Sequence, residues 1–144
     1  MSESKPGNVA THHGPGRVII GVYAVFAIAA TSRALFQLAT KFSDAPIAYL
    51  LSALAALIYV FITVLLWQGT PASLKHARTF IAVELVGVLV VGTWSFLDPA
   101  AFPRATVWSH FGEGYGFIPL LLPIAGLFYV RRSNNRSANE TDVS

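Results

Sequence analysis

Cysteine is missing from this chain of 144 residues, which excludes disulfides, thiolate metal sites and dithiol redox chemistry. Charge is nearly as scarce: ten Lys and Arg and seven Asp and Glu make up 12% of the residues, against about a quarter in soluble domains. A water-soluble surface cannot be built from so few charges. Nor do the basic residues form an extended face; they cluster near the ends of apolar stretches, so the formal charge of +3 is not a nucleic-acid footprint and no nucleic-acid partner is expected. No Walker pattern, phosphate-cradling Gly loop or nucleophile elbow is present, which disfavours an enzyme.

In place of charge the chain has long apolar runs, with 54% hydrophobic residues and a mean hydropathy of +0.58. Four stretches carry the excess: 18–38, 47–67, 79–97 and 115–130. Crossing about 30 Å of hydrocarbon takes roughly 20 apolar residues, so the first three fit well and the fourth is short. The expected fold is all-α: a four-helix transmembrane bundle over 17–132, with disordered tails at 1–16 and 133–144, whose polar composition cannot repay the entropy of folding.

Breakers set the boundaries. Pro46 disfavours helix in the residue before it and suits the first turn of a new helix, so a turn is expected at 41–46. Residues 68–78 read as a polar loop, with Gly69, Pro71, Lys75 and Arg78. Pro119 and Pro123 should kink the last span. The first stretch, with its basic flank and Ala27-Ile-Ala29, has the outline of a secretory signal, but hydrophobicity resumes after Arg33 and brings it to spanning length, so retention is expected.

Lys5, Arg17, Lys75, Arg78, Arg131, Arg132 and Arg136 fall on one side of the expected spans, and Lys41 and Arg104 on the other. Positive-inside bias then places both termini in the cytoplasm of a multi-pass plasma-membrane protein, with the aromatic, Gly- and Pro-broken segment 94–119 facing outward. Trp67 and Tyr129 fit an inner aromatic belt, and Tyr49, Trp94, Trp108 and Tyr115 an outer one.

The candidate functional polar residues are Arg33, Glu84, Asp98, His110 and Glu113. Charges inside a span are functional candidates because leaving them unpaired costs several kcal/mol. Arg33 lies fifteen residues past Val18, roughly 22 Å deep, and Glu84 five past Thr79, roughly 8 Å deep, so the two should not meet. Arg33 is expected to pair with Asp98, Asp44 or Glu113, and Glu84 with Lys75, His76, Arg78 or Arg131. Arg33, Gln37 and Lys41, four apart, should form one stripe facing another helix or a wet interface. His110 and Glu113 have a ligand-pair spacing, but zinc needs at least three fixed ligands, and Gly112, Gly114 and Gly116 argue against a rigid helix. His12-His13 in the tail supplies still fewer, so neither metal nor cofactor is expected.

Three motifs, Ala30-Thr-Ser-Arg-Ala-Leu-Phe-Gln-Leu38, Asp44-Ala-Pro-Ile-Ala-Tyr-Leu-Leu-Ser-Ala53 and the run from Val83-Glu-Leu-Val-Gly87 to Gly126, give the chain a further signature. In these it resembles a group of small, functionally uncharacterised four-helix membrane proteins of actinobacteria. That resemblance implies four spans and a plasma-membrane location, and carries over no functional residue. The expected role is an accessory or binding component of a larger membrane complex, packed through small-residue faces at Ser52/Ala56 and Gly87. The alternatives are a homo-oligomeric small-solute or ion carrier using Arg33 and Glu84, and a membrane enzyme acting at the outer leaflet through His110 and Glu113.

Overall fold

The computed structural model describes residues 14–143, so the expectations for residues 1–13, including His12-His13, lie outside the described residues. The architecture is all-helical: α1 (Pro15–Thr40), α2 (Pro46–Gln68), α3 (Pro71–Leu97) and α4 (Ile118–Val143). Proline opens the first three helices, where its missing N–H costs nothing and its fixed φ is already helical. A short 3₁₀ turn, Phe42–Asp44, separates α1 from α2 at the expected break. Gly69 ends α2 in the left-handed conformation, and the Thr70 hydroxyl accepts the Ser73 N–H at 3.1 Å to begin α3.

Residues 71–78 are therefore helix and not loop, which corrects the sequence expectation. Thr70-Pro71 is a strong start signal, and Ser73, Leu74 and Ala77 are buried on the inward face of the added turns. Polar composition there does not mark where the helix begins. At the other end α4 stays helical past Arg131 and Arg132 to Val143, across the expected membrane and tail boundary. Pro119 does not kink a span; it sits in the first turn of α4, while Pro123 lies inside that helix.

Helices α1 and α2 pack most extensively, followed by α3 with α4 and α2 with α3; α1 meets α4 lightly. The shared core contains Tyr23, Tyr59, Ile62, Ile81, Val88 and Val130. Large apolar side chains also cover the outside, among them Ile28, Leu54, Phe61, Val86 and Phe128. A helix apolar all round belongs in lipid or in a large core. Three helices, at 16–40, 46–68 and 71–97, are long and apolar enough to cross a membrane. A fourth crossing is available if the helical pieces 109–115 and 118–133, bent by 98°, count as one broken span.

Candidate functional site

The connection between α3 and α4 does not hang outside the bundle. Trp108 is 2% exposed and lies against Gly87, where an added Cβ would come within 2.6 Å of its ring. Its indole N–H donates to the Tyr59 hydroxyl at 3.0 Å, satisfying the polar end of each buried ring. The Gly87 groove is thus filled by the chain's own tryptophan and is not free to receive a partner helix. Trp108 and Tyr49, expected in an outer aromatic belt, are both buried.

Short side chains brace the connection. Thr106 Oγ1 accepts the N–H groups of Trp108 and Ser109 at 3.1 and 3.0 Å, and Ser109 Oγ accepts the Thr106 N–H at 2.8 Å. Ser95 on α3 accepts the His110 N–H at 2.8 Å. His110 and Phe111 are held at φ values of 52° and 62°, in the left-handed region that non-glycine residues rarely occupy. Gly112 continues the reversal at φ 86°, with the Pro119 ring packed where its side chain would be.

This geometry turns His110 toward Glu113, with Nδ1 and Oε2 3.2 Å apart and both side chains exposed. The pair predicted from spacing is present, on a 3₁₀ segment, Ser109–Tyr115. Arg33 reaches the same region, where its Nη1 donates to the Tyr115 hydroxyl. The expected ion pairs of Arg33 with Asp98, Asp44 or Glu113 do not form; a phenol on the folded-back connection takes their place. Asp98 instead caps the C-terminus of α3 through its backbone N–H. Arg33, Ser95, Thr106, His110, Glu113 and Tyr115 line a cavity of about 530 Å³.

Glu84 lies elsewhere, fully buried in the core. The Tyr23 hydroxyl donates to its Oε1 at 2.8 Å, and Oε2 has no hydrogen-bond partner. None of Lys75, His76, Arg78 and Arg131 pairs with it, which corrects the second charge expectation. The reason is rotational: Glu84 faces the core with Ile81 and Val88, while Lys75 and Arg78 line an outward-facing cavity with Val86. Arg33 and Glu84 stay apart, as the depth argument required.

Sequence reasoning missed Tyr23, Tyr59, Trp108 and Tyr115 as polar partners. The available signal was a tyrosine deep in an apolar stretch, since a buried phenol normally finds a partner. The stripe of Arg33, Gln37 and Lys41 does form, and all three line a second cavity with Tyr49 and Arg104. Among the described residues no group of three or more His, Asp or Glu gathers as a metal-ligand cluster.

These features define the class as an all-helical chain with apolar, membrane-compatible helices and a polar cluster at one bundle end. Comparison adds no narrower assignment: no protein-family model, curated protein or solved structure matches this chain.

Proposed function

We propose that this protein is a small accessory or binding component of a larger assembly in the plasma membrane, with four crossings and both termini cytoplasmic. The observation supporting this over the carrier is the sealing of Glu84: it is fully buried and its near oxygen is occupied by Tyr23. A coupling site needs access from one side and then the other, and a carboxylate closed in by packed side chains has neither. Arg33 is engaged with Tyr115 and does not pair with Glu84. The apolar outer faces of α2 and α3 remain for lipid or partner helices.

Purification of the full chain in mild detergent, with mass spectrometry of co-eluting proteins, tests this reading. Stoichiometric co-elution with another membrane protein is the expected result. A lone chain or homo-oligomer that carries solute or ion flux in reconstituted vesicles, abolished by Glu84→Gln, would replace it with the carrier.

One observation favours a second reading, an enzyme at the outer leaflet: His110 and Glu113 share the cavity of about 530 Å³ with Arg33. The expected activity would be hydrolytic or acyl transfer, lost in both His110→Ala and Glu113→Gln. Retained turnover in either variant would exclude it.

A further inference from the structure

The second cavity, about 450 Å³, lies beside the site already described and shares Arg33 with it. Its volume falls within the range of about 300–1,000 Å³ usual for small-molecule sites. Three cationic side chains line it from three parts of the chain: Arg33 on α1, Lys41 at its end and Arg104 on the α3–α4 connection. No Asp or Glu lines it, and among the described residues none of the three cations is in an ion pair. Convergent positive charge at the edge of an apolar bundle lacks its counter-charge.

Gln37 supplies an independent pointer to a ligand. It lines the same cavity, is 9% exposed, and its Oε1 is buried without a hydrogen-bond partner. A buried amide is normally satisfied, so a native structure that leaves one open needs a reason. Three cations ask for an anion, and the amide oxygen asks for a donor; one ligand with an anionic group and a free hydroxyl answers both. The guanidinium of Arg33 uses Nη1 on Tyr115 and has further N–H groups to offer, in a fork that matches phosphate oxygens. Phe36 also lines the cavity and is well exposed, so the opening adjoins the apolar outer face of α1.

We propose that the cavity formed by Arg33, Gln37, Lys41, Tyr49 and Arg104 binds an anionic phosphate ester that carries a free hydroxyl. The phosphate lies among the three cations and the hydroxyl donates to Gln37. Both a lipid headgroup and a soluble phosphate ester have this chemistry. The proposal is independent of the accessory role. A chain that elutes alone yet binds phosphate esters refutes only that role, and an assembly subunit indifferent to them refutes only this site.

The test is thermal unfolding of the full chain in nonionic detergent, titrated separately with dioleoyl phosphatidylglycerol, dioleoyl phosphatidylcholine and sn-glycerol 3-phosphate. Saturable stabilisation by phosphatidylglycerol but not phosphatidylcholine is expected, and identifies a lipid source. Stabilisation by sn-glycerol 3-phosphate alone supports the same site with a soluble source. In either case K41Q/R104Q, at exposed positions outside the core, should fold normally and weaken apparent affinity about tenfold or more. Q37L provides a second readout: removing an unpaired amide should raise the unliganded Tm while shrinking the ligand-induced shift. No stabilisation by phosphatidylglycerol or sn-glycerol 3-phosphate, or a shift undiminished in both variants, overturns the proposal.

Discussion

The Tyr23 hydroxyl and the Glu84 carboxyl depend on each other, because neither has another hydrogen-bond partner in the core. Removing one leaves the other buried and unsatisfied, whereas replacing both with apolar groups of similar shape removes the debt altogether. Tyr23→Phe alone should therefore cost about 1–3 kcal/mol, and the double variant with Glu84→Leu should recover most of the loss in detergent unfolding. Additive losses would show that the bond contributes nothing. Glu84→Gln keeps an acceptor for Tyr23, so expression and oligomeric state should change little. Arg33 is the second residue-scale case. Arg33→Ala and Tyr115→Phe should be non-additive by about 1 kcal/mol or less, given a solvent-exposed bond, while Arg33→Ala and Asp98→Asn should simply add. The reverse pattern would restore the ion pair that spacing had pointed to.

At the scale of elements, the α3–α4 connection behaves as a fifth packing unit. Trp108 anchors it in the core, Phe111 lies over Gly92, and Pro119 closes over Gly112. Gly87 and Gly92 each admit a ring where a methyl group would collide, so the tolerated volume at these positions on α3 is set by the connection and not by a neighbouring helix. Gly87→Ala should push Trp108 from its place and cost about 1–3 kcal/mol, with a change in tryptophan fluorescence that reports the displaced ring. Gly112→Ala combines a clash with an unfavourable φ and should cost at least as much, whereas Gly114→Ala, which meets nothing, should be tolerated. Equal behaviour of Gly112 and Gly114 would mean that the reversal is not held as described. The left-handed pair His110-Phe111 is kept by its own N–H groups, which donate to Ser95 Oγ and the Trp108 carbonyl, and this explains how a strained turn persists beside a cavity.

For the whole molecule, the proposed topology makes a direct prediction. A reporter active only in the cytoplasm should work when fused after Ser144 or inserted at Gly69, and should be silent at Ala105. Gly69 suits insertion because it lies at the short joint between α2 and α3, whereas Ser73 is buried inside α3. Activity at Ala105 with silence at Gly69 and Ser144 would invert the protein, whereas silence at both Ala105 and Ser144 would remove the fourth crossing. That crossing is the least regular, since its helix meets the preceding 3₁₀ piece at 98° and begins only at Ile118. Backbone groups freed at such a bend need internal partners in lipid, and the bonds from the Gly116 and Phe117 N–H groups to Glu113 and Gly112 supply them.

Composition and hydropathy alone were enough for the helical class and for the three helices long and apolar enough to cross a membrane, because a bilayer demands length and apolarity whatever the packing. The breaker at Pro46 was equally legible, since its steric effect is local. Spacing along one chain also predicted the Arg33, Gln37 and Lys41 stripe, which depends only on helical geometry over a few residues, whereas His110 and Glu113, three apart, meet through a left-handed turn that spacing does not encode. Partners across the bundle were not legible. Depth estimates placed Glu84 correctly apart from Arg33 but gave no rotation about the helix axis, so Tyr23 was missed and basic residues facing outward were chosen. The sequence of 94–119 likewise showed polar chemistry, backbone breakers and an expected outer side of the membrane, but not how the segment packs against the helices. Only the tertiary structure decided that this segment turns inward, because the choice rests on Trp108 finding both a groove at Gly87 and an acceptor on Tyr59, two residues far from it in the chain.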